Sequence, residues 1–174
     1  MVIEISKSTK KITGIWFFGL AGAGKTFASQ ICGKLIDRSF LIDGDDVRKL
    51  VSFDLGYSET DREVQIKRVL GLAEIAIKNE QVPVVSTVTM SKEIYQRCNE
   101  LSFKMAHIIR PMDQLREVRD IYQGERNVVG VDIKYNKPQN NYITFKNNFK
   151  KNFLKIARKK ILSDKKISRL LKKI

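Results

Sequence analysis

The stretch Gly19-Leu20-Ala21-Gly22-Ala23-Gly24-Lys25-Thr26 fits the phosphate-binding pattern G-x-x-x-x-G-K-[ST]. It lies between an apolar run, Ile15-Trp16-Phe17-Phe18, and the helix-like run Phe27-Ala28-Ser29-Gln30-Ile31. A strand that enters such a loop and a helix that leaves it have few ways to bury their apolar faces. The economical one is a parallel sheet with helices on both faces. The chemistry is equally constrained. Gly22 and Gly24 permit backbone angles that aim several N–H groups at one anion, and the helix start adds its positive end. Lys25 reaches the outer phosphates of a bound nucleotide, and the Thr26 hydroxyl completes a magnesium shell. Gly19, Gly22, Ala23, Gly24, Lys25, Thr26 and Phe27 are therefore the expected nucleotide-binding residues.

The remaining pattern supports one α/β domain over residues 1–174. Ser39-Phe40-Leu41-Ile42 reads as a second strand ending at Asp43, Val82–Val88 as a third, Met105–Ile109 as a fourth and Tyr142–Phe145 as a fifth. Helices are expected over residues 25–36 and 60–79. Residues 119–141 are polar and hold Gly124, Gly130 and Pro138, which suits a lid. No apolar run approaches the roughly 18 residues of a membrane span, and the N-terminus lacks a signal-peptide core, so a cytoplasmic protein is expected. Cys32 and Cys98 lack metal-ligand spacing, and with His107 as the only histidine a His-based metal site or Ser/His triad is nearly excluded.

Ligands of parallel sheets bind beyond the carboxyl ends of strands. The second strand ends in Asp43-Gly44-Asp45-Asp46, whereas the third ends in Val88-Thr89 and the fourth in Ile109-Arg110. Asp43 and Asp45 are thus left to help hold magnesium, to accept a proton from the group being phosphorylated, or both; helix capping is the structural alternative for one of them. Arg48 and Arg62 are candidate anion clamps, with a surface ion pair to Asp61 or Glu63 as the alternative for Arg62. Asn136-Lys137-Pro138-Gln139 lacks the terminal Asp of a guanine-reading N-K-x-D, and no glutamine is placed to orient water. Transfer is favoured over hydrolysis.

Together, WFFGLAGAGKT, LIDGDDVR, DLGYSETDREVQIKRV and RNVVGVDIKYNKP resemble the adenylylsulfate (APS) kinases in order and near their spacing, over roughly residues 14–140. The resemblance implies a P-loop kinase fold, a three-layer αβα sandwich with a mainly parallel five-stranded sheet and a lid. It implies transfer of the ATP γ-phosphate, with Mg2+, to the ribose 3′-hydroxyl of a small 5′-phosphoryl nucleotide conjugate, and a homodimer. Position by position, Lys25, Asp43 and Asp45 match the catalytic group, with Thr26 and Asp43 toward the metal. Arg48, Tyr57, Arg62, Gln65, Val88, Thr89, Asn127 and Val128 match acceptor-binding positions, Tyr57 being an aromatic that stacks on the acceptor base. The departures fall in the same places. The family's A-[FL]-I-S-P-x-R is Ser86-Thr87-Val88-Thr89-Met90-Ser91-Lys92, the asparagine after D-R-x-x is Gln65, and N-F-T-G-I-D is Asn127-Val128-Val129-Gly130-Val131-Asp132. The second aromatic, opposite Tyr57, becomes Val128, and the K-G-L-Y-K-K-A segment with its lysine is missing; Lys92, Arg126 and Lys134 are candidate substitutes. A smaller base needs less stacking area, so the favoured acceptor is a cytidine conjugate, as in the cytidine diphosphoramidate kinases of capsule phosphoramidate synthesis; adenylylsulfate is the alternative.

The net charge of +14 is concentrated at one end. From Lys146 to Ile174 there are twelve Lys or Arg and one acid. Phe149, Phe153, Ile156, Ile161, Ile167, Leu170, Leu171 and Ile174 repeat at roughly helical spacing there. This predicts a basic helical segment over about 147–174 with a solvated lysine face, dispensable for chemistry beyond about residue 162. No nucleic-acid partner is expected; a nucleic-acid end kinase or RNA-binding ATPase is the alternative that the tail favours.

Overall fold

The computed structural model describes residues 12–88, 90–124, 126–135, 142–147, 153–164 and 167–170. Thr89, Phe149, Leu171, Ile174, the start of the chain and the lid beyond residue 135 lie outside these, as do the side chains of Phe153 and Ile156. Five strands, β1 (Ile15–Phe18), β2 (Ser39–Asp43), β3 (Val82–Thr87), β4 (Lys104–Ile109) and β5 (Tyr142–Lys146), form one sheet in the order β2-β3-β1-β4-β5, every pairing parallel. All five expected strands are present, with ends shifted by a residue or so.

The central strand shows why. All four residues of β1 are buried, because strands flank it and helices cover both faces; such a strand reads as an unbroken apolar run. Alternation then divides its side chains. Ile15 and Phe17 join Ala28 and Cys32 of helix α1 (Lys25–Leu35) and its C-cap residue Ile36 on one face. Trp16 and Phe18 join Val69 and Ala73 of α3 (Glu59–Lys78) and Ile94 and Cys98 of α4 (Lys92–Glu100) on the other. The Trp16 indole N–H donates to Thr87 Oγ1 at 2.8 Å, so the ring is buried without an orphan donor. Helix α3 starts with a reciprocal capping box between Ser58 and Asp61.

Three short helices escaped the sequence reading: α2 (Gly44–Leu50), α4 and α5 (Met112–Val118). Each buries only one or two residues, Val47 in α2, Ile94 and Cys98 in α4, Leu115 in α5. So few apolar positions leave almost no periodic signal. Among the described residues no helix is long and apolar enough to cross a membrane.

The basic tail packs on the core, and a cut after about residue 162, expected to spare the chemistry, would remove the buried Ile167 and Leu170. Helix α6 (Phe153–Ser163) and the 3-10 turn Ile167–Leu170 bring Ile161, Ile167 and Leu170 into the α1-side core, with Ile161 and Ile167 fully buried. Lys104 pairs with Asp164 at 3.2 Å, both side chains largely buried, and the Asp37 amide donates to the Leu170 carbonyl. Lys155, Arg158, Lys159 and Arg169 face solvent, as a surface helix over a core requires. Ile167→Ala should therefore destabilise the fold by about 2–4 kcal/mol, the range for emptying a filled core site. Urea denaturation of the purified variant measures it; a loss near zero would return the tail to the periphery.

Candidate active site

The carboxyl ends of the strands open into a cavity of about 810 Å3. On one wall lies the phosphate loop. Gly22 (φ 78°) and Gly24 (φ 103°) both adopt the left-handed backbone that favours glycine. Gly24 is also the N-cap of α1, and no side chain caps that helix, so its first-turn N–H groups remain for an anion. The Lys25 ammonium donates to the Leu20 carbonyl at 3.0 Å. Desolvation pushes it down to about 8 against the pull of Asp45 and then Asp43. A cation in that state gains from any phosphate that approaches. Gly22, Gly24, Lys25, Thr26 and Phe27 line the cavity, and Phe27 is exposed. Gly19 and Ala23 do not line it: Gly19 hydrogen-bonds to Val88 beneath the loop, and Ala23 is fully buried.

The two acids stand where the end of β2 puts them. Asp43 caps α2 through Asp45 N–H (2.9 Å) and also accepts from Thr26 Oγ1 (2.8 Å) and from Ser86 Oγ of β3 (2.7 Å). Asp43 therefore caps α2 and also lines the cavity beside Thr26. β3 supplies no acid, only the hydroxyl that props Asp43. Thr26 and Asp43 offer one hydroxyl and one carboxylate within 2.8 Å of each other. That hard, carboxylate-poor oxygen set fits Mg2+, which takes its remaining ligands from water and phosphate. Among the described residues no group of three His, Cys, Asp or Glu could hold a metal on protein ligands alone. Asp45 lines the cavity and acts electrostatically on both Lys25 and Arg62, so it lies between the loop and the opposite wall.

That opposite wall holds Arg48, Tyr57 and Arg62. The guanidinium carbons lie 4.7 Å (Arg48) and 5.4 Å (Arg62) from the Tyr57 ring centroid. Burial, and then the like charge of Arg48, push the Arg62 guanidinium below its ordinary value; a shared anion relieves such a pair. Among the described residues Arg62 forms no ion pair with Asp61, which caps α3, or with Glu63. Arg62 instead donates to the carbonyls of Tyr57 (3.1 Å) and Asn127 (2.8 Å). Arg48 donates to the Gly56 carbonyl. Gln65 donates to the Gly44 carbonyl at 2.9 Å, which leaves its Oε1 a buried acceptor without a partner among the described residues. Val88 and Asn127 line the cavity as expected.

The lid segment carries its own small core. Leu115, Tyr122 and Val128 are buried together against Leu20, Ala21 and Met112. Val128 touches the cavity, but at 6% exposure its side chain belongs to this cluster rather than to an open face opposite Tyr57. Asn127 adopts a left-handed φ of 61°, and the Asp132 carboxylate accepts the amides of Asn127 and Val128, both at 2.6 Å. Of the three candidate lid cations only Arg126 lines the cavity; Lys92 and Lys134 do not. Two further arginines do, Arg110 just after β4 and Arg119 just after α5. Neither was singled out from sequence. For Arg110, a cation directly after an apolar strand was the available signal.

The Adenylylsulphate kinase family model matches residues 11–146. Adenylyl-sulfate kinase of Pseudomonas aeruginosa is 31% identical over 145 residues, which cover 75% of this chain and 74% of that protein. Adenylyl-sulfate kinase of Halothermothrix orenii is 29% identical over 147 residues, covering 77% and 79%. Among solved structures, the Mycobacterium tuberculosis APS kinase CysC in complex with AMPPNP and APS superposes with a TM-score of 0.71 at 19% identity, over 87% of this chain and 96% of that one. The loop, the aspartate at the end of β2 and these relatives converge: the chain belongs to the adenylylsulfate kinase family and is an APS kinase-like nucleotide kinase, a phosphotransferase acting on a hydroxyl group.

Proposed function

We propose that the chain transfers the γ-phosphate of ATP to the ribose 3′-hydroxyl of a small 5′-phosphoryl nucleotide conjugate, with a cytidine conjugate such as cytidine diphosphoramidate favoured. The observation that carries this reading is the pairing of two walls across one cavity. A phosphate loop with Asp43 and Asp45 faces two like-charged guanidiniums set against one exposed tyrosine. The cavity volume lies within the range of small-molecule sites.

In this reading Lys25 and the first-turn amides of α1 hold the outer phosphates. Arg48 and Arg62 hold the acceptor's 5′-phosphoryl group, and Tyr57 stacks on its base. Gln65, Val88 and Asn127 border the acceptor. Asp45, between the two walls, accepts the hydroxyl proton as the new P–O bond forms. Thr26 and Asp43 would hold Mg2+, which supplies charge neutralisation on the phosphates. Arg126 stands nearest to the role of the missing lid lysine.

The cytidine preference is supported by the stacking surface. Val128 gives its side chain to the lid core, and Tyr57 already carries two guanidiniums. A base–aromatic contact contributes about 1–3 kcal/mol, and a purine loses more than a pyrimidine when one face is missing. Adenylylsulfate is the second reading, favoured by the names of the relatives. We further propose a cytosolic homodimer; the exposed Leu50 (78%) and Phe53 (82%) offer apolar surface for a second copy.

Steady-state transfer with magnesium-ATP and a matched panel of cytidine diphosphoramidate, CDP, adenylylsulfate and a short RNA tests the acceptor. The expected result is a kcat/KM for the cytidine conjugate more than about tenfold above the others, equivalent to about 1.4 kcal/mol. Preference for adenylylsulfate would make this a sulfate-activation kinase, and stimulation by RNA would move the function to nucleic-acid ends. Asp43→Asn should lower kcat by at least about 100-fold while the Tm holds, as for loss of one preorganised polar group at the reacting centre; retained turnover removes Asp43 from the chemistry. Arg48→Ala and Arg62→Ala should chiefly raise the acceptor KM, leaving the KM for ATP near wild type. An unmoved acceptor KM in both would reduce them to surface residues.

A further inference from the structure

A loop that turns its N–H groups toward an anion must turn its carbonyls the other way, and those carbonyls need partners. Here each carbonyl from Leu20 to Ala23 accepts a side-chain donor. Leu20 accepts from Lys25 at 3.0 Å, within the motif itself. The other three donors come from outside the motif. Tyr122 Oη donates to Ala21 at 2.9 Å, Arg110 to Gly22 at 3.0 Å and Asn147 Nδ2 to Ala23 at 2.8 Å. All three donors are buried, at 6%, 6% and 7% exposure. Two of them follow directly on strands at the carboxyl edge of the sheet, Arg110 after β4 and Asn147 after β5; the third sits in the 3-10 turn that begins the lid.

We propose that Tyr122, Arg110 and Asn147 are positioning residues for the nucleotide's phosphates, acting through the phosphate loop by fixing its outward carbonyls. Gly22 and Gly24 give the loop the freedom to adopt its shape and equally the freedom to leave it. A peptide unit that flips presents a carbonyl to the phosphate in place of an N–H. Three donors seated on rigid strand ends and on a packed lid remove that alternative, so the anion meets a loop already shaped. Tyr122 adds a connection. Its ring shares the lid cluster with Val128, next to Asn127, whose carbonyl receives Arg62. The segment that holds the phosphate loop is therefore the one that the acceptor clamp grips.

The proposal rests on the reading of the loop as a nucleotide site, and its test separates the two. Isothermal titration calorimetry of ADP and of inorganic pyrophosphate, with wild type, Tyr122→Phe and Asn147→Ala, reads the loop directly. Tyr122→Phe keeps the ring in the lid core and removes only the hydroxyl, so its Tm should stay within about 2 °C of wild type. Loss of one buried hydrogen bond of this kind should raise the dissociation constants about 3- to 10-fold, by the same factor for ADP and pyrophosphate, with the acceptor KM unchanged. Wild-type affinity in Tyr122→Phe overturns the proposal. A loss confined to ADP also overturns it, because it would place the hydroxyl on the base rather than behind the loop. A parallel rise in acceptor KM would mark a general loosening and count against it. Failure of the wild type to bind either ligand removes the nucleotide reading and the proposal together. Should Asn147→Ala not fold, Tyr122→Phe decides alone.

Discussion

A peptide unit cannot aim its N–H at a ligand without aiming its C=O away from it. That constraint organises this molecule. In the loop after β1 the carbonyls from Leu20 to Ala23 each accept a side-chain donor. The protein behind it must therefore be polar at defined places inside an apolar layer. A parallel sheet supplies such places at the carboxyl ends of its strands. β4 ends at Ile109 and hands over to Arg110; β5 ends at Lys146 and hands over to Asn147. The apolar faces of the same strands hold the loop's helix in register, so support of the backbone and support of the site come from one set of strands.

Asp43 shows the same economy on the other side of the loop. Its two carboxylate oxygens accept the Asp45 amide, the Thr26 hydroxyl and the Ser86 hydroxyl. Capping fixes the start of α2, and with it the direction of Arg48 on that helix. The Thr26 contact holds its hydroxyl against the Asp43 carboxylate. A carboxylate that ended β2 without capping would be free to rotate; one that only capped would be turned from the cavity. Gln65, donating to Gly44 one residue away, ties α3 to the same corner. Arg48 and Arg62 thus sit on two helices that meet at the end of β2.

The parts of this architecture carried by local pattern were legible in the sequence. The phosphate loop is contiguous, β1 is an unbroken apolar run, β3 is rich in β-branched residues, and α3 carries enough buried positions to mark a long helix. In the tail the apolar stripe was legible but its partner was not, because Ile161, Ile167 and Leu170 meet α1 from more than a hundred residues away. Arg110, Asn147 and Tyr122 left no local trace for a similar reason. Their partners lie 88, 124 and 101 residues distant in sequence. Nothing near Asn147 distinguishes it from the asparagines around it, and only the closing of the sheet brings it behind Ala23. At Val128 the motif carried no information on the direction of the side chain, which lies in the lid cluster although the residue lines the cavity.

That direction has a physical cause. A lid holds itself in place by the apolar surface that it buries. Among the described residues Leu115, Tyr122 and Val128 are buried together against Leu20 and Ala21 of the phosphate loop. A side chain at 128 that instead reached across toward Tyr57 would leave Leu115 and Tyr122 partly uncovered. It would also loosen the hydroxyl that holds the Ala21 carbonyl. Asn127 and Asp132 reinforce the choice: the left-handed turn at Asn127, fixed by two amides on the Asp132 carboxylate, presents the Asn127 carbonyl to Arg62 and sends the next side chain inward. In this chain packing takes the side chain at position 128. The far wall of the cavity is then built by Tyr57 and the two guanidiniums beside its ring.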